Sequence, residues 1–275
     1  MSTQQNDITG WVLNPDNVCH ELSHKQEKEV ASRIFIDAIR GKQPVGDHER
    51  PHMLMCIGTP GAGKSSISKL IIAHLDRKKL KTYVTLDVDE LVKYHPNYTN
   101  ANNLVDVFGK KTNIGYAYAH SQCSQYLMHA ANMALSNMME SQYNIILHSH
   151  DFSTLINAKS DYAYQTSLAF ISTPLVLAQS RARKRALNEG RFLSVDLEKQ
   201  DSYIAMRWYQ YKMQSPWYAM WADEFIIATN RDNKPSTSIK KEIAIIDPQS
   251  VSLGDTLNAR IGAIAVKIEE MQEAF

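Results

Sequence analysis

His52-Met53-Leu54-Met55-Cys56-Ile57-Gly58-Thr59-Pro60-Gly61-Ala62-Gly63-Lys64-Ser65-Ser66-Ile67 decides the fold class. The first six residues are a short apolar run that reads as a buried strand, and the next eight fill the pattern G-x-x-x-x-G-K-[ST] completely. Ile67, Leu70, Ile71 and Leu75 then recur at helical spacing, so the predicted order is strand, glycine loop, helix. That order places an anion at a helix N-terminus, where unpaired N–H groups and the helix dipole favour negative charge. Gly58, Thr59, Pro60, Gly61, Ala62 and Gly63 are expected to wrap backbone N–H groups around a β-phosphate. Lys64 neutralises the β/γ oxygens, Ser65 ligates Mg²⁺, and Ser66 completes the first turn of the binding helix. The expected ligands are a nucleoside triphosphate, ATP or GTP, and its Mg²⁺.

Outward from the loop, strands are predicted at 82–86, 143–147, 166–171 and 225–228, and helices at 24–40, 114–139, 175–189 and 196–214. Strands alternating with helices give an α/β fold of P-loop NTPase type: a mostly parallel sheet flanked by helices, with ligands at the carboxyl ends of the strands. The domains are expected at 1–50 (an N-terminal helical segment), 51–235 (the kinase-like domain) and 236–275. The last begins polar and finishes in an amphipathic helix carrying Leu257, Ile261, Ile264 and Ile268.

Composition narrows the function. Thirty Lys+Arg against 29 Asp+Glu leave a formal charge of +1, so no global basic field argues for nucleic acid as a partner. Cys19, Cys56 and Cys123 are odd in number and widely spaced, so neither a disulfide framework nor a zinc site is expected, and a reducing cytoplasm fits. Met1 to Asp7 is polar and no stretch of 18 apolar residues occurs, which argues against a signal peptide and a membrane span. Later delivery into the cytosol of another cell stays compatible with this reading.

The second strand ends in Asp87-Val88-Asp89. Two acids at i and i+2 can divide labour, Asp87 in the Mg²⁺ shell and Asp89 as the base for an attacking hydroxyl, although an Asp before Glu90-Leu91 is also a good helix cap. Arg181, Arg183, Lys184, Arg185 and Arg191 form the densest cationic cluster; Arg185 and Arg191 are the leading candidates to meet charge on a transferring phosphoryl group.

These pieces resemble the zeta-toxin family of bacterial P-loop kinases across roughly residues 53 to 235. Asp87-Val88-Asp89 is followed by His95-Pro96-Asn97-Tyr98, then by a Tyr143-Asn144-apolar third strand, by Pro174 after the fourth strand, by lid arginines Arg185 and Arg191, and by Asn230-Arg231-Asp232 after the fifth. The resemblance implies phosphorylation of a hydroxyl on a UDP-N-acetylated sugar, with Asp89 as base and Asn230 and Arg231 on the nucleotide. His95 falls on the substrate side, and an antitoxin or inhibitory protein is the kind of partner it admits. Two departures stand out. Where the family ends its third strand in Glu-Gly-Thr, this chain has His148-Ser149-His150-Asp151, and an acidic helix position appears as Asn132. The substrate-side set is therefore read as His95, Asn132, His148, His150 and Asp151, and a different small-molecule acceptor is in view.

Three rivals use the same loop. A GTPase needs Asn-Lys-x-Asp, which Asn230-Arg231-Asp232-Asn233 does not supply. A polynucleotide or dinucleotide-cofactor kinase shares the loop and the strand-end acid, and Trp208, Tyr209, Tyr211, Trp217 and Trp221 could line a strand channel, though packing onto the sheet is the plainer reading. A non-catalytic nucleotide switch would need neither Asp89 nor the arginines.

Overall fold

The computed structural model describes residues 19–46, 48–75, 82–98, 114–149, 151–189, 193, 196–230, 243–250 and 256–273, with backbone alone at 114–122, 188–189 and 273. Arg191, Arg231, Asp232 and His150 lie outside the described residues. The chain divides into two compact units. One comprises 1–40, 87–137 and 182–200, and the other 41–86, 138–181 and 201–275.

The second unit is built on a six-stranded sheet. Its strands are β1 (His52–Ile57), β2 (Val84–Asp87), β3 (Ile145–His148), β4 (Gln165–Ser172), β5 (Glu224–Thr229) and β6 (Ile243–Ile246), in the order β2-β3-β1-β4-β5-β6. β1 pairs in parallel with β3 (Cys56 opposite His148) and with β4 (Cys56 opposite Ala169), and β4 pairs in parallel with β5. The central strands are apolar at nearly every position because both faces are covered. Alternate residues Leu54, Cys56, Ile146, Ala169, Ile171, Ile226 and Ala228 pack with Ile67, Ile71 and Ile72 of α2 (Lys64–Leu75). Leu70, expected on that buried face, is exposed and Ile72 takes its place. The helix thus rotates its apolar stripe by about one position, within the ordinary looseness of a period-3.6 pattern.

β6 was not legible in the polar tail; it adds an antiparallel edge, with Ile226 opposite Ile245. Asn144 explains the Tyr-Asn signature of the third strand. Its side chain accepts from His52 N at 2.8 Å and donates to Thr82 Oγ1 at 3.1 Å, while its carbonyl accepts from Val84 N at 2.8 Å. One buried amide therefore fastens the entries of β1, β2 and β3.

In the first unit, α1 (His24–Ile39) starts at a capping box in which Ser23 and Gln26 satisfy each other's orphan groups. It buries Val30, Ala31 and Ile34. α3 (Ile114–Glu140), which runs from this unit into the next, buries Leu127, Ala131 and Ala134, one face of the helix predicted at 114–139. The cysteine expectation is corrected here. Cys19, just before α1, and Cys123, on α3, form a disulfide with a Cα–Cα separation of 5.1 Å, within the usual range. The two are 104 residues apart in sequence, so spacing carried no sign of the pair.

The remaining helices are α4 (Ser153–Asp161), α5 (Leu175–Glu189), α6 (Leu197–Ala219) and α7 (Leu257–Glu273). In α7, Ile264 and Ile268 are buried as expected, whereas Leu257 is exposed. No helix among the described residues is long and apolar enough to cross a membrane.

Candidate active site

The glycine loop leaves β1 at Ile57 and enters α2 at Lys64, so strand, loop and helix follow in the predicted order. Two glycines are there by necessity. Gly61 has φ +83°, and a Cβ on it would run into the carbonyl of Ala178 on α5; Gly63 has φ +86°, and its Cβ would meet Nδ2 of Asn230. Only glycine adopts that backbone cheaply and leaves that approach open.

The loop is tied from below. Thr59 Oγ1 donates to the Ile204 carbonyl at 3.0 Å. The carbonyl of Ala62 accepts from Thr173 Oγ1 at 3.1 Å and from Asn230 Nδ2 at 2.7 Å. Arg181 reaches the same spot, its guanidinium donating to Asn230 Oδ1 at 3.3 Å and lying 3.5 Å from the Gly61 carbonyl oxygen. Trp208 Nε1 donates to the Thr173 carbonyl at 2.8 Å and so braces Thr173. Above, Lys64 Nζ donates to the Gly58 carbonyl at 2.9 Å, which keeps the ammonium at the loop, while Ser65 and Ser66 are exposed on the first turn of α2. Ser66 and Ile67 donate their backbone N–H groups to the Gly63 carbonyl at 3.1 and 3.0 Å, so the first turn of α2 closes on the last glycine of the loop. Rigid backing, a cation held at the loop and a helix N-terminus together make an anion cradle.

Asn230 was expected on the nucleotide; the structure buries it under the loop as its clamp. Arg181, one of five cations in the cluster and not singled out in the sequence, belongs to the same clamp. Cys56 is buried on β1 immediately before the loop, and burial pushes its thiol far above the ordinary range despite the nearby Lys64 charge, so it is inert. His148 closes β3, buried, with Nε2 3.1 Å from Ser68 Oγ on α2. Asp151 Oδ1 accepts from the backbone N–H and hydroxyl of Ser153 at 3.1 and 2.6 Å, which organises the start of α4.

In the first unit lie the two acids at the end of β2, Asp87 and Asp89. Asp87 caps the 3₁₀ segment Val88–Tyr94 by accepting from Asp89 N at 3.1 Å, and the Asp89 side chain is exposed. His95 is buried, Nε2 2.9 Å from the His20 carbonyl and Nδ1 accepting from Asn97 N at 3.1 Å. Both ring nitrogens are engaged within the protein, and the His-Pro-Asn signature acts here as the anchor of the segment preceding α1. Burial holds the His95 imidazole below its ordinary range, with the His20 carbonyl bond opposing. Cys19, His95 and Cys123 also bring three ligand-type atoms within 4.8 Å of one another, but the sulfurs are joined and the imidazole is bonded. Asn132 is exposed on α3, and Arg183 and Arg185 are exposed on α5.

The sheet order and the loop at the end of its central strand define a P-loop NTPase fold of the kinase type. The zeta-toxin family model matches residues 36–208, more than half of the sequence, and the chain belongs to the zeta-toxin family. A solved structure from the PezAT chromosomal toxin–antitoxin system of Streptococcus pneumoniae is 14% identical; the match covers 93% of this chain and 98% of that one, with a TM-score of 0.57. An AvrRxo1-ORF1:-ORF2 structure with ATP matches over 80% of this chain and 63% of that one, at 11% identity and TM-score 0.46. A shikimate kinase of Bacteroides thetaiotaomicron matches over 81% and 98%, at 13% and 0.38. Against curated protein sequences nothing matches.

Proposed function

We propose that this chain is an ATP- or GTP-dependent kinase that phosphorylates a hydroxyl of a small metabolite, a UDP-N-acetylated sugar being the first candidate, and that it acts as a zeta-type toxin. The observation that carries the proposal is the backed cradle. Gly61 and Gly63 leave no room for a side chain, Asn230, Thr173 and Arg181 hold the loop, and Lys64 and Ser65 stand at the α2 N-terminus. A triphosphate fits such a donor set, and the residues that would hold its Mg²⁺ are Ser65 and, through the family resemblance, Asp87. When bound, the metal supplies positive charge that offsets the charge on the transferring group.

The protein's own groups supply the rest. Asp89 takes the proton of the acceptor hydroxyl as the oxygen–phosphorus bond forms and the bond from the γ-phosphorus to the bridging oxygen breaks, releasing the nucleoside diphosphate. Arg185 and Arg191 are assigned to the charge that develops on the moving phosphoryl group. The acceptor side departs from the family at Asn132 and at His148-Ser149-His150, and because changed polar partners alter which hydroxylated ligand a site accepts, a nucleotide or dinucleotide cofactor is the second candidate. An inhibitory protein partner is inferred from the toxin–antitoxin system to which the PezAT structure belongs.

The test is transfer of labelled γ-phosphate to UDP-sugars, to NAD-like cofactors and to a 5′-hydroxyl oligonucleotide, run side by side with Asp89→Asn. Label on a UDP-sugar or another small metabolite supports the proposal; label on the oligonucleotide alone overturns it.

A further inference from the structure

The solvent-facing stripe of α6 is apolar where a solvated helix would be charged. Tyr203, Met206, Tyr209, Met213 and Trp217 recur at spacings of three and four, and Trp221 continues the line just past the helix end. All six are exposed, from 38% at Tyr203 to 72% at Met213. Aromatics were expected to pack this helix onto the sheet. Tyr211 is buried and Trp208 is bonded to Thr173, but Tyr209, Trp217 and Trp221 face outward.

We propose that this stripe is the interface between two copies of the chain, packed α6 against α6 about a two-fold axis. The line from Tyr203 to Trp221 spans roughly 27 Å of helix. Six such side chains present on the order of 800 Å², the share each partner contributes to a standard-size interface. Methionines at 206 and 213 alternate with aromatic residues at 203, 209, 217 and 221, so an antiparallel partner sets thioether against ring, a favourable and adaptable contact. A two-fold interface must be self-complementary, and a stripe without charged residues meets its own copy with no like-charge repulsion.

The bordering cations are committed within the chain. Lys212 pairs with Glu269 at 3.5 Å, and Arg207 donates to Tyr203 Oη at 3.1 Å and Gln210 Oε1 at 2.9 Å. The rim therefore offers little to draw an oppositely charged foreign segment, which favours a second copy as the occupant.

Sedimentation of the full chain from about 1 to 100 μM tests this. The expected mass rises toward twice 31.2 kDa, and Met213→Lys and Trp217→Glu, at exposed positions, return the monomer with unchanged circular dichroism and melting temperature. As an independent readout, Met213→Cys near the axis should be captured as a dimer by a short bismaleimide, while Val176→Cys, exposed on α5, should not. A chain that stays monomeric throughout, a dimer that survives both charge substitutions, or a monomer that gains mass only with a different protein each overturns the proposal.

Discussion

Replacing Asn230 by alanine removes the clamp beneath the phosphate loop without touching any group that faces the ligand. Asn230 is 4% exposed, donates to the Ala62 carbonyl at 2.7 Å and accepts from Arg181 at 3.3 Å. Losing the buried hydrogen bond costs about 1 kcal/mol, and the void left by the amide together with the weaker arginine contact adds about 1–2. The expected loss is about 2–3 kcal/mol, roughly 5–10 °C in Tm. The Ala62 carbonyl keeps one partner in that variant, the Thr173 hydroxyl at 3.1 Å. Thr173→Val alone leaves it the other partner. The double variant strips both, and a buried carbonyl without a donor costs about 1–3 kcal/mol, so the two losses should exceed their sum by about 1 kcal/mol or more. Urea unfolding of the four proteins gives that coupling, and titration with a fluorescent nucleotide should show affinity falling in the same order. Strict additivity, or Asn230→Ala with native Tm and native affinity, would refute the clamp.

Gly61→Ala should weaken triphosphate binding at least about tenfold, since left-handed strain of roughly 1–2 kcal/mol adds to collision with the Ala178 carbonyl, and isothermal titration checks it. Reduction, or Cys19→Ser, should lower the stability of the first unit by up to about 4–5 kcal/mol, the chain-entropy value for a loop of about 100 residues; identical guanidinium midpoints with and without reductant would contradict the pairing. Burial depresses the His95 pKa below its unfolded value of about 6.5, so the stability that the neutral imidazole brings is whole above about pH 6.5 and is lost as the pH falls through the folded value. Melts at descending pH should show that decline, and His95→Gln should flatten it.

The parts of the fold that were legible are those in which local chemistry and tertiary role coincide. The run His52–Ile57 is apolar because β1 is central, and the glycines that follow it are needed for their backbone, so pattern and structure agree. A cap was legible beside Asp87-Val88-Asp89 because capping is a short-range matter, but the sequence pointed to the Asp before Glu90, whereas the structure gives the cap to Asp87. What escaped depends on distance. The Cys19–Cys123 pair spans 104 residues, and Arg181 looked like one cation among five until α5 set it beside Asn230. Asn230 itself carries a family signature whose residues gave no hint that its amide turns inward to Ala62. The α6 stripe shows a different limit: a period of 3.6 marks one face of a helix and leaves open whether that face meets the sheet or the solvent.

The central claim is that the cradle holds a triphosphate whose γ-phosphate leaves for a hydroxyl. It is tested most directly by following labelled γ-phosphate from ATP and GTP into a metabolite extract with the wild-type chain, Lys64→Ala and Asp89→Asn. The account predicts a labelled small molecule with the wild type, none with Lys64→Ala, whose fold stays intact, and a rate lower by about 10²–10⁴ with Asp89→Asn at retained nucleotide affinity. Equal transfer by wild type and Lys64→Ala, or hydrolysis to inorganic phosphate with no labelled acceptor, would contradict it.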